Sequence, residues 1–358
     1  MLKKILIAVL AAAVALAAAW AGFGDRIVLR ALQRQVVRNL SGAAFAQLPD
    51  GLNVILCGAG SPMPDPTRSE ACVAVVAGKR LMVVDVGSGG ARNITLYGLP
   101  VGQVSDVFLT HFHSDHIDGL GELMLQRWAN GAHGEPLPVH GPPGVEAVVA
   151  GFNMAYAQDD QYRVAHHGPK LVPPSGAGGQ ALPFDMPAPG EGVTVVDQDG
   201  LKVTAFAVDH GPVKPAVGYR FDYAGRSLVI SGDTRKSDNL QHFAQGADLL
   251  VHEAMSPELM DAITAAAAQA GAANLHQILL DVRGYHSTPV EAAELAQAAG
   301  VRHLLYYHIA PALPYRVLER RFLRGVDQVY HGGVTVGRNG SWIALPAHSS
   351  EVRVGQRG

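Results

Sequence analysis

Between residues 111 and 116 the chain reads His-Phe-His-Ser-Asp-His, which sets three imidazoles and one carboxylate within six residues. Imidazole nitrogen and carboxylate oxygen are donors that Zn²⁺ accepts. The residues just before, Val104 to Leu109, are short, apolar and β-branched, as a buried strand requires. Those just after, from Ile117 with Leu120, Leu123, Met124 and Leu125, read as a helix. The cluster therefore falls on a strand-to-helix turn, where side chains converge. One tetrahedral ion cannot take four ligands from so short a turn without strain. Two adjacent ions can, with His111 and His113 on one and Asp115 and His116 on the other. A solvated histidine-rich loop is the plainer reading, but it needs a chain with no further ligands, and this one offers several.

The pattern H-x-H-x-D-H resembles the signature of the metallo-β-lactamase superfamily. Further landmarks resemble it in order: Asp85 in Val83-Val-Asp-Val-Gly87, His210 in Val208-Asp-His-Gly-Pro212, Asp233 in Ser231-Gly-Asp-Thr234, and His308 in Tyr306-Tyr-His-Ile309. Val251-His-Glu-Ala254, Tyr285-His-Ser-Thr288 and Gly60-Ser-Pro-Met-Pro-Asp-Pro66 are similar to motifs of its ribonuclease Z and arylsulfatase-like branch. The likeness runs from Leu52 to the stretch Gly340-Ser-Trp-Ile-Ala-Leu345.

The resemblance implies two zinc ions. His111, His113 and His210 would hold the first, Asp115, His116 and His308 the second, with Asp233 bridging. A water shared by two cations loses its proton near neutral pH, since a single zinc already brings its water to about pKa 7. Asp115 would position the resulting hydroxide. His286, polarised by Glu253, would protonate the leaving oxygen. Asp85 would orient the ligand loop. Local sequence logic also bears on His286. Thr288 reads as a helix N-cap, Pro289 as the first helical residue, Glu291 as the capping-box partner and Gly300 as the stop. His286 thus precedes a helix amino terminus, which attracts anions such as a phosphate or sulfate ester.

The implied fold is α/β: an αββα four-layer sandwich with two mixed sheets, preceded by an N-terminal export helix. Strand-like segments carry ligands at their carboxyl ends in both halves, where function gathers in open α/β architectures. With 358 residues and 48% hydrophobic content, the chain can bury one large core. Residues 51–358 read as one hydrolase domain, with Pro169 to Gly192 as a loop or flap.

Ahead of that domain, Lys3 and Lys4 precede an apolar run from Ile5 to Trp20, and Ala19-Trp20-Ala21 offers a cleavage site. Residues 1–21 read as a signal peptide or an uncleaved membrane anchor, so the hydrolase is expected to be exported, in the periplasm or facing it. In residues 22–50, Arg26, Arg30, Arg34 and Arg38 repeat along one helical face. That suits a solvated linker helix or one lying on an anionic membrane. The two cysteines, Cys57 and Cys72, end one strand and begin the next, which is compatible with a disulfide or with two buried thiols.

Net charge is -3, with no basic block. Residues 151–200 hold only Arg163 and Lys170 as cations, against Asp159, Asp160, Asp185, Glu191, Asp197 and Asp199. Acidic surface repels a polyanion. The expected partner is therefore a small-molecule ester, a phosphodiester or an aryl sulfate, with nucleic acid disfavoured and a homodimer compatible with the branch. A lactonase or β-lactamase acting on cyclic esters or amides is one alternative; a metal-bound, non-catalytic, membrane-associated protein is another. Tyr156, Asp160, Arg163, His166, His167 and Arg68 are candidates to roof the pocket.

Overall fold

A computed structural model describes residues 1–40 and 42–357; the side chains at 2, 18, 19, 21 and 38–40, Arg38 among them, lie outside the described set. Fifteen strands occur among the described residues. In the first half they are β1 (Gly51–Gly58), β2 (Cys72–Ala77), β3 (Arg80–Val86), β4 (Val104–Phe108), β5 (Leu137–Gly141), β6 (Gly179–Pro183) and β7 (Gly192–Gln198). In the second half they are β8 (Leu201–Ala207), β9 (Val217–Tyr223), β10 (Arg226–Ile230), β11 (Leu249–Met255), β12 (His303–Ala310), β13 (Gly333–Val336), β14 (Ser341–Pro346) and β15 (Arg353–Gln356).

They form two mixed sheets, ordered β15-β14-β1-β2-β3-β4-β5-β6 and β13-β12-β11-β10-β9-β8-β7. The parallel strands are β3 to β6 and β10 to β13; ligand motifs follow β4 and β10 and lie within β12, while His210 follows the antiparallel strand β8.

The period-two alternation of side chains builds the layers. On β1, Leu52, Val54 and Leu56 face the second sheet and meet Val203, Phe221, Leu228 and Leu305 in the central core. Their neighbours Ile55 and Cys57 face outward, under the helices Gly90–Leu96, Leu120–Gly131 and Val145–His167. The far face of the second sheet is covered by Leu240, Ala292, Leu295 and Phe322 from the helices Asp238–Phe243, Pro289–Ala298 and Arg316–Phe322. This is the αββα arrangement expected. Each fully buried Val, Leu or Phe in these layers contributes roughly 1.5–3 kcal/mol of transfer free energy, so the fold rests on its three apolar interlayers.

Three local readings change. Part of Pro169 to Gly192 is a strand: β6 pairs in parallel with β5, Leu137 opposite Gly179 through Gly141 opposite Pro183, and extends the sheet. Arg68 does not reach the pocket. Its buried guanidinium donates to the carbonyls of Gly337 and Leu313 and pairs with Asp65 and Glu319, pinning the loop after β1 to the far end of the chain. On Val145–His167, Arg163 turns back to Asp159 one turn earlier, and His166 and His167 are exposed.

Cys57 and Cys72 are joined by a disulfide. At the amino terminus, Leu2–Leu40 forms one helix. Leu6, Leu10, Leu16, Ile27, Leu29 and Val37 on it are exposed. No single described helix is long and apolar enough to cross a membrane; Lys3–Ala17 and Gly22–Val37 qualify only as a joint, bent pair.

Candidate metal centre

The turn after β4 does what its sequence implies. His113 stands at the N-cap position of the single helical turn Ser114–Ile117, its side chain left free of capping, and that turn carries Asp115 and His116. His111, Asp115 and His116 are buried, and His113 is half-buried. The other candidate ligands arrive from the opposite sheet: His210 after β8, Asp233 after β10 and His308 within β12.

His308 is the bulged residue of its strand. Tyr307 pairs with Glu253 and Ile309 with Ala254, which leaves His308 unpaired at a φ of 42°. Asp85, at the end of β3, also has a positive φ of 53°. Both are non-glycine residues in a sparsely populated conformation, and such outliers gather at functional sites. The bulge re-aims the His308 ring across the gap between the sheets.

The seven side chains converge. One ligand atom each from His111, His113, His210 and Asp233 lie within 4.8 Å of one another, as do those of Asp115, His116 and His308. Asp233 Oδ2 is the hub. It stands 3.4 Å from His116 Nε2, 3.4 Å from His308 Nε2, 3.8 Å from His210 Nε2 and 4.0 Å from His111 Nε2. His308 Nε2 lies 3.0 Å from Asp115 Oδ2, and the facing nitrogens of His111 and His113 are 3.0 Å apart. A third grouping of Asp233, His286 and His308 also lies within 4.8 Å, so His286 shares the rim of the same space.

The rings are held from behind. Asp85 accepts from Thr110 N and Thr110 Oγ1, and from His116 Nδ1, each at 2.8 Å. Burial opposes a charged His116, but Asp233, Asp115 and Asp85 hold it well above its usual pKa; with Nδ1 donating to Asp85, Nε2 would be the nitrogen to give up its proton to a cation. His210 Nδ1 donates to the Tyr285 carbonyl at 2.9 Å, to the same effect. Sequence reasoning did not single out Thr110 or Tyr285 for these roles; their adjacency to His111 and His286 was the available signal.

The donors fit a cation. Nε2 of His116 and of His210, Nδ1 of His308 and Oδ1 of Asp233 are buried with no hydrogen-bond partner among the described residues. Buried polar atoms are normally satisfied, so the two orphans that face Asp233 Oδ2, His116 Nε2 and His210 Nε2, mark a place for a cation. Burial and the neighbouring His116 hold His111 well below its usual pKa, and burial likewise lowers His210 and His113. These rings are therefore neutral, as ligands must be. Burial would raise Asp233, but His308, His116 and His286 hold it well below the usual carboxylate range, so it is ionised.

Glu253, fully buried in β11, organises the opposite rim. Its Oε1 accepts from Thr234 N at 3.2 Å and Ser287 N at 3.0 Å, and faces His286 Nδ1 at 3.1 Å. Burial opposes a charged His286, but Glu253, Asp233 and Asp115 outweigh it and push the ring up to about 9. The capping box at Thr288 and Glu291 is formed, with Thr288 N to Glu291 Oε2 at 2.8 Å and Glu291 N to Thr288 Oγ1 at 3.1 Å.

Fold and site together define a metal-dependent hydrolase of the β-lactamase superfamily, whose domain profile matches residues 95–309. Within it the chain belongs to the ribonuclease Z family. It is 34% identical over 291 residues to ribonuclease Z of Mycobacterium bovis, which covers 80% of this chain and 96% of that protein. The fold is shared with the metallo-β-lactamase fold protein YhfI from Bacillus subtilis, at a TM-score of 0.57, 18% identity and coverage of 82% and 99%. The human tRNase Z, short form, superposes equally well, at 0.57, 21% identity and the same coverage. Membership makes this a hydrolase of phosphodiester bonds.

The relatives correct one expectation. The curated relatives are named as ribonucleases, which overturns the small-molecule ester partner and the expectation that nucleic acid is disfavoured. The error was to let the charge of residues 151–200 stand for the charge at the site. The site borders instead on the turn after β10, where Arg235 and Lys236 follow Asp233 with only Thr234 between.

Proposed function

We propose that this protein is a dinuclear zinc phosphodiesterase acting on RNA. The observation that carries the reading is the gathering of six His and Asp donors around Asp233, in a chain that belongs to the ribonuclease Z family. His111, His113 and His210 would hold one ion and Asp115, His116 and His308 the other, with Asp233 available to both. When bound, zinc polarises the phosphoryl group and lowers the pKa of nearby water.

The chain's own residues do the rest. Asp115 holds the attacking water by hydrogen bond and takes up its proton. Glu253 keeps His286 protonated and aimed, and His286 delivers a proton to the departing ribose oxygen. Asp85 locks His116 in the tautomer that leaves Nε2 free.

We also propose that the enzyme works outside the cytoplasm. Lys3 and Lys4, the apolar helix that follows and the Cys57–Cys72 disulfide support this, because disulfides persist in oxidising compartments. The helix serves as a signal peptide or as an anchor, and the enzyme meets RNA on the far side of the membrane.

The test is cleavage of an oligoribonucleotide by the zinc-loaded full chain, with Asp115→Ala and His286→Ala alongside. The reading expects hydrolysis in the wild type, loss of most turnover in both variants and retained zinc in His286→Ala. An oligoribonucleotide left intact by the wild-type protein refutes it.

A further inference from the structure

One cavity, of about 450 Å³, opens directly beside His286. Its charged walls are Arg235, Lys236 and Arg283, with the carboxylates of Asp209 and Glu291. The turn that presents Asp233 at the end of β10 thus also delivers two cations, and the segment that presents His286 delivers a third.

Glu291 is committed to the helix cap, and Asp209 is shared between a backbone amide and Arg235. Glu291 Oε2 accepts from Thr288 N at 2.8 Å as part of the capping box. Asp209 accepts from Gly211 N at 3.1 Å and pairs with Arg235 at 2.5 Å. Arg283 is held to Thr264 Oγ1 at 2.8 Å, to the Leu279 carbonyl at 3.2 Å and to Asp261.

Arg235 and Lys236 are held more loosely. Lys236 pairs with Glu294 at 2.7 Å, with both side chains about two-fifths exposed. The Arg235–Asp209 pair is about half exposed. Such solvated pairs contribute little, roughly 0–1 kcal/mol, and exchange readily for a better anion. His286 Nδ1 stands 3.9 Å from Asp233 Oδ2, so the cavity is one side chain removed from the hub of the metal centre.

We propose that this cavity is the subsite for the RNA phosphate next to the one being cleaved, gripped by Lys236 and Arg235. The inference rests on the RNA reading above and adds where the chain's neighbouring linkage lies. The ligand is a phosphodiester of the substrate strand; a substrate with a single phosphate does not reach it. The subsite positions the strand, so its loss raises KM and weakens the salt dependence of binding. Lys236 is the residue to change, because Arg235 also braces Asp209 beside His210.

The experiment uses the zinc-loaded full chain and two substrates, an oligoribonucleotide and bis(p-nitrophenyl) phosphate. For the oligoribonucleotide, the dependence of log(kcat/KM) on log salt is measured for wild type, Lys236→Gln, Lys236→Arg and Arg353→Gln. Arg353 is exposed and bonded to Glu351 on the carboxyl-terminal edge strand, so its variant is the control for nonspecific charge.

Each lost phosphate contact on a single strand flattens the slope by about 0.7. The proposal expects that change and a several-fold rise in KM in Lys236→Gln, rescue of both in Lys236→Arg, and the wild-type slope in Arg353→Gln. If the wild type cleaves both substrates and Lys236→Gln keeps the wild-type slope and KM, the subsite is overturned while the RNA reading stands. If the wild type cleaves only bis(p-nitrophenyl) phosphate, the RNA reading fails and takes the subsite with it.

Discussion

Asp85 accepts three hydrogen bonds at 2.8 Å while fully buried, which makes Asp85→Asn an informative change. Asparagine keeps the size of the side chain and tolerates the positive φ of 53° that Asp85 adopts, so the backbone is left in place. The amide keeps one acceptor, for Thr110 N, and turns an NH₂ toward Thr110 Oγ1 and His116 Nδ1. A proton on His116 Nδ1 then meets a donor. The ring escapes by moving its proton to Nε2, the nitrogen aimed at Asp233 and Asp115.

The second ion thereby loses a ligand lone pair. A charge-assisted hydrogen bond of this kind contributes about 1.5–3 kcal/mol. Loss of such a supporting partner costs roughly 10–100-fold in metal affinity. At about 1.4 kcal/mol per tenfold, the two estimates agree. The assay is a competitive zinc titration against a chromophoric chelator. One of two zinc equivalents is expected to weaken by that factor, and the other, held by His111, His113 and His210, by much less. Unchanged affinity for both equivalents refutes the role given to Asp85.

Three more changes probe the scaffold. Phe108 is fully buried between the sheets, 4.8 Å from His140, 5.4 Å from Tyr219 and 5.7 Å from Phe221 by ring centroid, so Phe108→Ala is expected to lower unfolding stability by about 3–5 kcal/mol in a denaturant titration. Burial would raise Asp106, but hydrogen bonds with His140, Ser105 and Arg80 hold it below its ordinary value. Its stabilising effect is thus present above the unfolded pKa of about 3.9 and lost as pH falls through the lower folded one. Asp106→Asn is expected to cost about 1–2 kcal/mol at pH 7, a gap that chemical denaturation at a series of pH values should see closing below about pH 4. Replacing Cys57 and Cys72 by serine frees a short loop, at an expected cost of about 3 kcal/mol, and reductant should lower the stability of the wild type but not of the double variant.

The parts of the fold that were legible in the sequence are those with a local cause. The β-branched runs of β1 to β4 alternate or stay apolar over their length, and their period names them as strands without reference to anything distant. Thr288, Pro289 and Glu291 specify a helix start by their own chemistry. The cluster at residues 111–116 was legible as metal chemistry because its donors are adjacent.

What stayed hidden depends on long-range contact. His210, Asp233 and His308 carry no local sign of meeting one another; only the family resemblance linked them. β6 was missed because its five residues earn their strand conformation by pairing with β5, not by hydrophobic pattern. Arg68 looked like a free loop cation until its partners, Gly337, Leu313 and Glu319, came from the other end of the chain. The charge at the site misled for the same reason. Residues 151–200 are acidic in sequence, yet Arg235, Lys236 and Arg283 come to the cavity beside His286 from other segments.

The central claim is that two zinc ions on these seven residues drive phosphodiester cleavage. The most direct measurement titrates zinc into chelator-stripped full-length protein while following oligoribonucleotide cleavage and bound metal together. The account predicts no cleavage without metal, saturation at two zinc per chain, and loss of both cleavage and the second equivalent in Asp233→Asn. Full cleavage by the stripped protein, or by Asp233→Asn, would contradict it.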